Sequence, residues 1–159
     1  GCTATTPDIE GPYYLPGAPL RTLLREPGMA GTALELQGTV SLASCVPLAG
    51  ATLEFWQADA LGRYDERGMR LRASLTTDRE GRFGLQTIVP GHYLNGARYR
   101  PSHIHVKVRA PRGRALTTQL YFEGDPYNQG DPWFDASRAL LLQRDHGGVR
   151  TNADLVLAM

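Results

Sequence analysis

The sequence lacks the features of a membrane protein and of a nucleic-acid-binding protein. It contains no apolar run that approaches the roughly 20 residues of a membrane span, and no signal core flanked by basic residues remains in the chain as given. Its 17 basic and 16 acidic residues nearly cancel, which leaves a net charge of +1. A basic nucleic-acid footprint and an acidic tail are therefore both missing. We expect no nucleic-acid partner and no membrane span, and a small molecule as the ligand.

Cysteine is also scarce, because Cys2 and Cys45 are the only two thiols. They are either two unpaired cysteines or a disulfide that ties the N-terminal arm to the body. The sequence leaves both interpretations open. A disulfide would imply an exported protein, and the chain begins with Gly-Cys rather than Met. Such an end is made by processing or by cloning, so an exported protein after signal cleavage is favoured over a cytoplasmic one.

The spacing of glycine and proline along the chain is typical of a β protein. Eighteen glycines and 11 prolines separate short alternating runs, and no long stripe of apolar residues follows the helical period. We predict an all-β fold, a mixed sandwich of about seven to eight strands with extended loops and at most a short helix. The candidate strands are 34–41, 51–57, 74–77, 82–88, 103–109, 116–122 and 154–159, and the candidate helix is 137–142.

Two local patterns carry further predictions. The sequence DREG, residues 78–81, predicts a tight turn and a hairpin between two strands, because Asp bonds its own backbone and Gly accepts positive φ. Residues 1–20 contain four prolines and predict an extended arm over the body rather than a central strand. With 159 residues and 42% hydrophobic content, the whole chain 1–159 is predicted to be one domain.

The strand predicted at 103–109 places two histidines on one face. With a period of two, His103, His105 and Lys107 point to one side, and Ile104, Val106 and Val108 point to the core. The two imidazoles can therefore converge on one metal ion. A zinc hydrolase is one interpretation, but it needs a third ligand and a general base, and the sequence offers no His-Glu-x-x-His motif.

Tyrosines are the other candidate ligands near this strand. Tyr64 follows one predicted strand and Tyr93 another, at ends where functional loops gather. A tyrosine ligand must lose a proton whose ordinary pKa is about 10, so it needs a strongly acidic cation. Ferric iron suits a mixed phenolate and imidazole site, because two phenolates and one hydroxide cancel its charge. Gly91 and Gly96 flank Tyr93, which predicts that Tyr93 is the more mobile ligand.

Five segments together resemble the intradiol ring-cleavage dioxygenases, the non-haem ferric family that includes catechol 1,2-dioxygenases and protocatechuate 3,4-dioxygenases. The segments are DIEGPYYLPGAP, WQADALGRYD, TTDREGRFGLQTIVPGHY, RPSHIHVKV and TQLYFEGDP, in the order of the family. The resemblance implies one Fe(III) per chain with Tyr64, Tyr93, His103 and His105 as ligands. It also implies that 1–159 is a single catalytic domain.

The resemblance implies roles for other residues as well. Tyr93 would be a catalytic base that leaves the metal, Arg100 would stabilise negative charge on the ring, and Gln119 would hold Arg100 or the ring in place. Pro12 and Tyr13 of the arm would lie near the substrate, together with Arg100. Gln57 and Asp59 are expected to shape the loops around the site, and Trp56 is expected to pack rather than to act in catalysis.

The resemblance further implies a reaction. An aromatic diol of the catechol type would be cleaved by O2 between its two hydroxylated carbons, which gives a muconate-type diacid. Features of both the catechol and the protocatechuate branches occur, so the diol is not specified. The helical N-terminal region of catechol 1,2-dioxygenases is missing, so a homo-oligomer through such a region is not expected. The alternative is a non-catalytic, transthyretin-like β-sandwich binding module, which explains the scaffold but not the histidines, Arg100 and Tyr64 together.

Overall fold

The chain folds almost entirely into strands. The computed structural model describes residues 2–158, which contain twelve strands and a three-residue 3-10 helix, Ala136–Arg138. The strands are β1 Ala33–Leu42, β2 Thr52–Gln57, β3 Arg72–Thr76, β4 Arg82–Ile88, β5 Leu94–Asn95, β6 Arg98–Tyr99, β7 His103–Arg109, β8 Ala115–Phe122, β9 Ala139–Leu140, β10 Gln143–Asp145, β11 Gly148–Asn152 and β12 Leu155–Leu157. The predicted all-β class is confirmed. Within the described residues, no helix is long and apolar enough to cross a bilayer.

Two five-stranded sheets form a mixed β-sandwich. In the first sheet, β1 pairs with β4 on one side and with β11 and β12 on the other, and β10 extends it beyond β11. The second sheet has the order β3-β2-β7-β8-β9, and β5 and β6 form a separate ribbon. Leu34, Leu36 and Val40 of the first sheet and Phe55 and Val106 of the second belong to one buried apolar cluster. Each such side chain contributes about 1.5–3 kcal/mol when fully buried.

The number of strands exceeds the predicted seven to eight. The seven predicted strands correspond to β1, β2, β3, β4, β7, β8 and β12. The five additional strands, β5, β6, β9, β10 and β11, are two to five residues long and carry few buried apolar side chains. Because these strands have no clear alternation of apolar and polar residues, their sequences do not predict them. The predicted last strand 154–159 includes residue 159, which lies outside the described residues.

The predicted turn at 78–81 is present, but the predicted hairpin is wrong. The Asp78 carboxylate accepts from the backbone N–H groups of Glu80 and Arg82 at 2.9 and 2.8 Å, and Gly81 adopts a φ of +74°. The strand before the turn pairs with β2, whereas the strand after it pairs with β1. The turn therefore carries the chain from one sheet to the other. Turn chemistry is local, so it does not reveal which strands pair.

The predicted helix at 137–142 is also wrong in its extent. Only Ala136–Arg138 is helical, with Asp135 accepting from the backbone N–H of Ser137. Ala139 turns to an extended conformation, and β9 then pairs with β8 in parallel. The reason lies in Arg138, whose side chain is buried and bonded to the Asp8 carboxylate at 2.8 Å. This tertiary contact ends the helix and carries the chain into the sheet.

The N-terminal arm crosses from β12 of the first sheet, where Thr5 bonds to Val156, to the second sheet. Residues 2–19 contain no strand, and the backbone N–H of Asp8 donates to the Thr117 carbonyl of β8 at 3.0 Å. A disulfide joins Cys2 to Cys45, with an S–S distance of 2.06 Å, so the interpretation of a paired arm is confirmed over that of two free thiols. The disulfide joins residues 43 positions apart, so it restricts the unfolded chain and thereby stabilises the folded one.

Candidate metal centre

The outer face of the second sheet carries the two histidines. On β7, Ile104 and Val106 are 0% exposed and face the apolar core, while His103 and His105 project to the opposite side. His105 lies directly across from Trp56 of β2 and from Gln119 of β8. The arm covers this row, because Gln119 Nε2 donates to the Ile9 carbonyl at 3.0 Å. Both histidines are thereby buried, at 4% and 3% exposure.

Three donor atoms converge above this face. Tyr64 Oη lies 3.2 Å from His103 Nε2 and 3.1 Å from His105 Nε2, and the two Nε2 atoms are 3.2 Å apart. His103 Nδ1 lies 2.7 Å from the Pro101 carbonyl, which fixes the tautomer with a lone pair on Nε2. One phenol proton cannot satisfy both imidazoles at once. Two atoms bound at right angles to one metal about 2.1 Å away would be about 3 Å apart, so the triangle fits a metal ion.

The electrostatics of these atoms suit a cation of high charge. Burial, and then the charge of Arg100, lower the pKa of His103 to about 4, and burial lowers the pKa of His105 as well. Both imidazoles are therefore neutral and able to bind a metal. Burial raises the pKa of Tyr64 above its ordinary value. Only a strongly acidic cation would draw off that proton, which is the chemistry expected of ferric iron.

His105 is oriented by packing rather than by a second hydrogen bond. Its ring stacks on Trp56, with centroids 4.9 Å apart and an interplanar angle of 8°. On another side, a Cβ built on Gly11 would lie 3.4 Å from His105 Cε1, and Gly11 has a φ of +74°. Within residues 2–158, His105 Nδ1 is buried and has no hydrogen-bond partner. Trp56 therefore packs, as expected, and the side chain that it packs against is His105.

The loops that carry Tyr64 and Tyr93 pack backbone against backbone. The Gly91 N–H donates to the Asp59 carbonyl at 2.8 Å, and a Cβ on Gly91 would lie 2.4 Å from the Ala60 carbonyl oxygen. A Cβ on Gly62 would lie 2.2 Å from the His92 carbonyl oxygen. Gly91 thus permits a close approach rather than motion, which corrects the interpretation of Gly91 as a source of mobility for Tyr93. Asp59, which was expected to shape this loop, does so through its carbonyl and carboxylate.

Tyr93 lies beside the donor triangle, but its hydroxyl bonds to the arm. Tyr93 Oη is 2.6 Å from Tyr13 Oη, and the Tyr93 ring stands edge-on to Tyr64 with centroids 5.8 Å apart. Tyr13 in turn stacks on Tyr64 at 4.2 Å with an interplanar angle of 8°. Of the four predicted ligands, the structure brings three together at hydrogen-bonding distance. The fourth, Tyr93, bonds to Tyr13 instead, so its role as a ligand stays a prediction.

Arg100 is held rigidly at the edge of the site. Its Nε and Nη2 atoms lie 2.9 Å from the two carboxylate oxygens of Asp131, and Nη1 lies 3.0 Å from Gln119 Oε1. Gln119 therefore contacts Arg100, as predicted. Burial lowers the pKa of Arg100, but the Asp131 carboxylate outweighs burial and holds this pKa above its ordinary value. Nη1 also lies 3.4 Å from His103 Nε2, so the guanidinium faces the donor triangle.

A small cavity opens over the donor atoms. Its volume is about 80 Å³, and seven of the eight predicted site residues line it: Pro12, Tyr13, Tyr64, Tyr93, Arg100, His103 and His105. Ile9, Gly11, Asn95 and Trp133 complete the wall, and Gln119 lies behind Arg100. A larger groove of about 340 Å³ on the other sheet is lined by residues such as Glu35 and Arg150, without a histidine or tyrosine. Volume therefore does not mark the functional site here.

The sequence did not single out three residues that shape the site. Asp131 binds Arg100, and the Trp133 ring lies 4.8 Å from the Arg100 guanidinium carbon. Arg72 is 2% exposed and donates to the Tyr13 carbonyl at 2.5 Å and to the Asp65 carbonyl at 2.8 Å. It therefore joins the arm to the residue after Tyr64. The contacts of Arg100 with Asp131 and of Arg72 with Tyr13 join residues 31 and 59 positions apart, so no short motif signals them.

The donor set does not favour a zinc site. Within residues 2–158, no three His, Cys, Asp or Glu side chains are grouped to hold a metal. The third converging atom is a phenol oxygen, so the zinc hydrolase interpretation still lacks its third ligand and its general base.

Comparison with known proteins agrees with this geometry. A family model described as "Dioxygenase" matches residues 9–154. Catechol 1,2-dioxygenase 2 of Acinetobacter lwoffii is 36% identical over a match that covers 75% of this chain and 51% of that protein. The chain belongs to the intradiol ring-cleavage dioxygenase family. Members similar to it also include 6-chlorohydroxyquinol 1,2-dioxygenase of Cupriavidus pinatubonensis, which is 31% identical over 99% of this chain and 65% of that protein.

Solved structures of the family share the whole fold. The dioxygenase domain of a dioxygenase and carbohydrate-binding protein fusion from Streptomyces sp. SirexAA-E superposes with a TM-score of 0.93 at 41% identity, over 99% of both chains. The 3-chlorocatechol 1,2-dioxygenase of Rhodococcus opacus superposes with a TM-score of 0.90 at 29% identity, over 97% of this chain and 72% of that one. The chain spans about half the length of the curated catechol dioxygenases that it matches.

Proposed function

We propose that the protein is a non-haem Fe(III) dioxygenase that binds one iron per chain. It cleaves the ring of a catechol-type diol between the two hydroxylated carbons and incorporates both atoms of O2, which gives a muconate-type diacid. The observation that supports this most strongly is the convergence of Tyr64 Oη, His103 Nε2 and His105 Nε2 within 3.1–3.2 Å of one another under the cavity. A binding module on the same scaffold gives no reason for this convergence.

The tyrosines and histidines would hold the metal. Tyr64, His103 and His105 would be ligands, and Tyr93 would be the fourth in the resting site. The bound ferric ion supplies chelation of both diol oxygens and activation of the ring toward O2. Two protons must leave the diol when it binds. The Tyr93 phenolate would accept one of them, the hydroxide that balances the charge of the resting site would accept the other, and Tyr13 Oη, 2.6 Å from Tyr93 Oη, would hold the tyrosine hydroxyl so formed.

Arg100 and the arm would act on the substrate ring. The Arg100 guanidinium keeps its charge at any working pH, and its Nη1 atom faces the donor triangle. It is therefore placed to stabilise negative charge that develops on the ring carbon and oxygens. Gln119 would fix the guanidinium through its 3.0 Å bond. Pro12 and Tyr13 also line the cavity and would exclude water from the ring.

Metal content and oxygen uptake test the proposal together. Protein purified, loaded with ferric iron and desalted should hold about one iron per chain and absorb visible light through phenolate-to-iron charge transfer. It should consume O2 with catechol but not with phenol, because a monophenol cannot chelate. A colourless protein that binds no iron, or an iron-loaded protein that consumes no O2 with catechol, protocatechuate or hydroxyquinol, would contradict the proposal.

A further inference from the structure

We infer that Asp131 sets the substrate class of this cavity by neutralising Arg100, so that the site takes uncharged diols and disfavours diols that carry a ring carboxylate. The inference rests on the proposed function, because it concerns the choice among diols at that same site. It concerns a residue 31 positions beyond Arg100 that is not itself among the residues lining the cavity but bonds to two of them, Arg100 and Trp133.

The ion pair is buried and bidentate. Arg100 Nε and Nη2 lie 2.9 Å from Oδ1 and Oδ2 of Asp131, and the two side chains are 8% and 2% exposed. The backbone N–H of Trp133 also donates to Asp131 Oδ2 at 3.2 Å, which fixes the carboxylate. The Trp133 ring then lies 4.8 Å from the guanidinium carbon. The Asp131 carboxylate therefore balances the positive charge of Arg100 inside the protein. A substrate carboxylate could not approach the guanidinium more closely than Asp131 does.

The remaining donors of Arg100 are also engaged. Nη1 donates to Gln119 Oε1 at 3.0 Å, and Nη2 reaches the Tyr121 hydroxyl at 3.3 Å. The one remaining direction runs from Nη1 toward His103 Nε2, 3.4 Å away, which is where the diol oxygens would bind. A carboxylate needs two parallel N–H groups for a bidentate bond with arginine. Arg100 has no such pair to offer.

The neighbouring cations do not replace Arg100. Arg72 is 2% exposed and donates to backbone carbonyls. Lys107 pairs with Glu10, and Arg138 pairs with Asp8 at 2.8 Å. Among the residues that line the cavity, Arg100 is the sole arginine or lysine. The anion of a substrate would therefore enter without a counter-ion.

The walls around the ring are mostly apolar. Ile9, Pro12 and the Trp133 ring provide apolar surface, and Asn95 is the single amide in the lining. An anion moved into such surroundings without a partner loses its hydration and gains little in return. We expect kcat/KM for protocatechuate to be lower than that for catechol by at least about tenfold, with most of the difference in KM because the loss is one of ground-state binding.

The selectivity of the iron-loaded enzyme tests this inference directly. Steady-state oxygen uptake with catechol, 4-methylcatechol and protocatechuate gives three kcat/KM values. Catechol and 4-methylcatechol should agree within about threefold, since both are uncharged, while protocatechuate should fall behind. The methyl group controls for size at the position of the carboxylate.

Two variants change the charge of the wall. Asp131→Asn removes the internal counter-ion, so the catechol-to-protocatechuate ratio should fall at least about fivefold, even where both activities decrease. Because Asp131 is buried, a second variant guards against misfolding. Ile9→Arg adds a cation on the arm at a residue 42% exposed, and Ile9→Gln is its uncharged control of similar length. Ile9→Arg should lower the ratio in the same direction, and Ile9→Gln should not.

The outcomes separate this inference from the proposed function. Absence of oxygen uptake with every diol would contradict the proposed function itself. Uptake with catechol that is matched or exceeded by protocatechuate would overturn the inference and leave the function standing. An unchanged ratio in both Asp131→Asn and Ile9→Arg would also overturn it, because charge would then not govern the choice of diol.

Discussion

The candidate site is built from two regions that are held in different ways. The strand region consists of β7 and β8, where His103, His105 and Gln119 are placed by the register of the sheet. The loop region consists of the arm and the loops after β2 and β4, which carry Tyr13, Tyr64 and Tyr93. A continuous ladder of main-chain hydrogen bonds fixes the first region. Isolated main-chain bonds, such as that from Gly91 to Asp59, and side-chain contacts, such as the donation from Arg72 to the Tyr13 carbonyl, fix the second.

This difference suggests a division of labour. Groups on adjacent strands cannot move without breaking the ladder, so they suit ligands that stay bound throughout a reaction. Groups on loops move at lower cost, so they suit a ligand that must leave and a wall that must admit substrate. Tyr93, already hydrogen bonded to Tyr13, belongs to the second kind.

Loss of a strand ligand should have the largest effect. His105→Ala removes one of three converging donors, and iron affinity should fall at least about 100-fold. Lys107→Met is the matched control, because Lys107 lies on the same face of β7 and outside the cavity lining. Competition with a chelator of known affinity measures both variants. Equal iron affinity in His105→Ala and the parent protein would show that the metal lies elsewhere.

The two tyrosines should differ. Tyr64→Phe removes the phenol of the donor triangle, so iron affinity should fall about 10- to 100-fold and the charge-transfer colour that persists with substrate should disappear. Tyr93→Phe should keep the iron and the colour from Tyr64, but it should slow substrate deprotonation severely because a base is lost. Visible spectra with and without catechol distinguish them. Stronger loss of iron from Tyr93→Phe than from Tyr64→Phe would reverse the assignment.

The arm clamp should have a smaller effect. Arg72→Lys keeps the positive charge but replaces the planar guanidinium, whose Nη1 and Nη2 reach the Tyr13 and Asp65 carbonyls separately, with a single nitrogen. We expect kcat/KM for catechol to fall about tenfold through a higher KM, and iron affinity to fall less than about fivefold. Arg67→Lys, at an exposed position in the loop that precedes β3, is the control. An unchanged KM in Arg72→Lys would show that the clamp does not shape the cavity.

The disulfide should matter least to the metal. Cys2→Ser opens the anchor of the arm, but Thr5, Asp8 and Ile9 keep their hydrogen bonds to the body. Iron affinity should stay within about twofold, while the free energy of unfolding should fall by about 2–4 kcal/mol. Denaturant melts of the metal-free protein measure the second value. A drop in iron affinity like that of Arg72→Lys would mean that the whole arm, not its inner part, holds the site.

Several features of the structure follow from local sequence rules. The period of two on β7 separates the core residues Ile104 and Val106 from the histidines, and proline keeps the arm out of the sheets. The turn at Asp78 also follows from its chemistry. The switch of sheets at that turn does not, because pairing is decided by burial across the whole sandwich.

Other features depend on contacts between distant residues. The ion pair of Arg100 with Asp131 joins residues 31 positions apart, and the donation from Arg72 to Tyr13 spans 59. Neither has a motif, since an arginine or aspartate in a loop is ordinarily solvated. The stacking of Trp56 on His105 could be predicted only in part. The alternation of β2 places Trp56 on the face opposite to Phe55, but it does not reveal which strand lies beside Trp56.

The location of bound iron decides whether Tyr64, His103 and His105 form the metal site. Crystals of the ferric protein, measured on both sides of the iron absorption edge, should show one anomalous peak per chain. We predict that this peak lies about 2.0–2.3 Å from Tyr64 Oη, His103 Nε2 and His105 Nε2. A peak elsewhere on the chain, or none at these three atoms in protein that retains iron in solution, would contradict it.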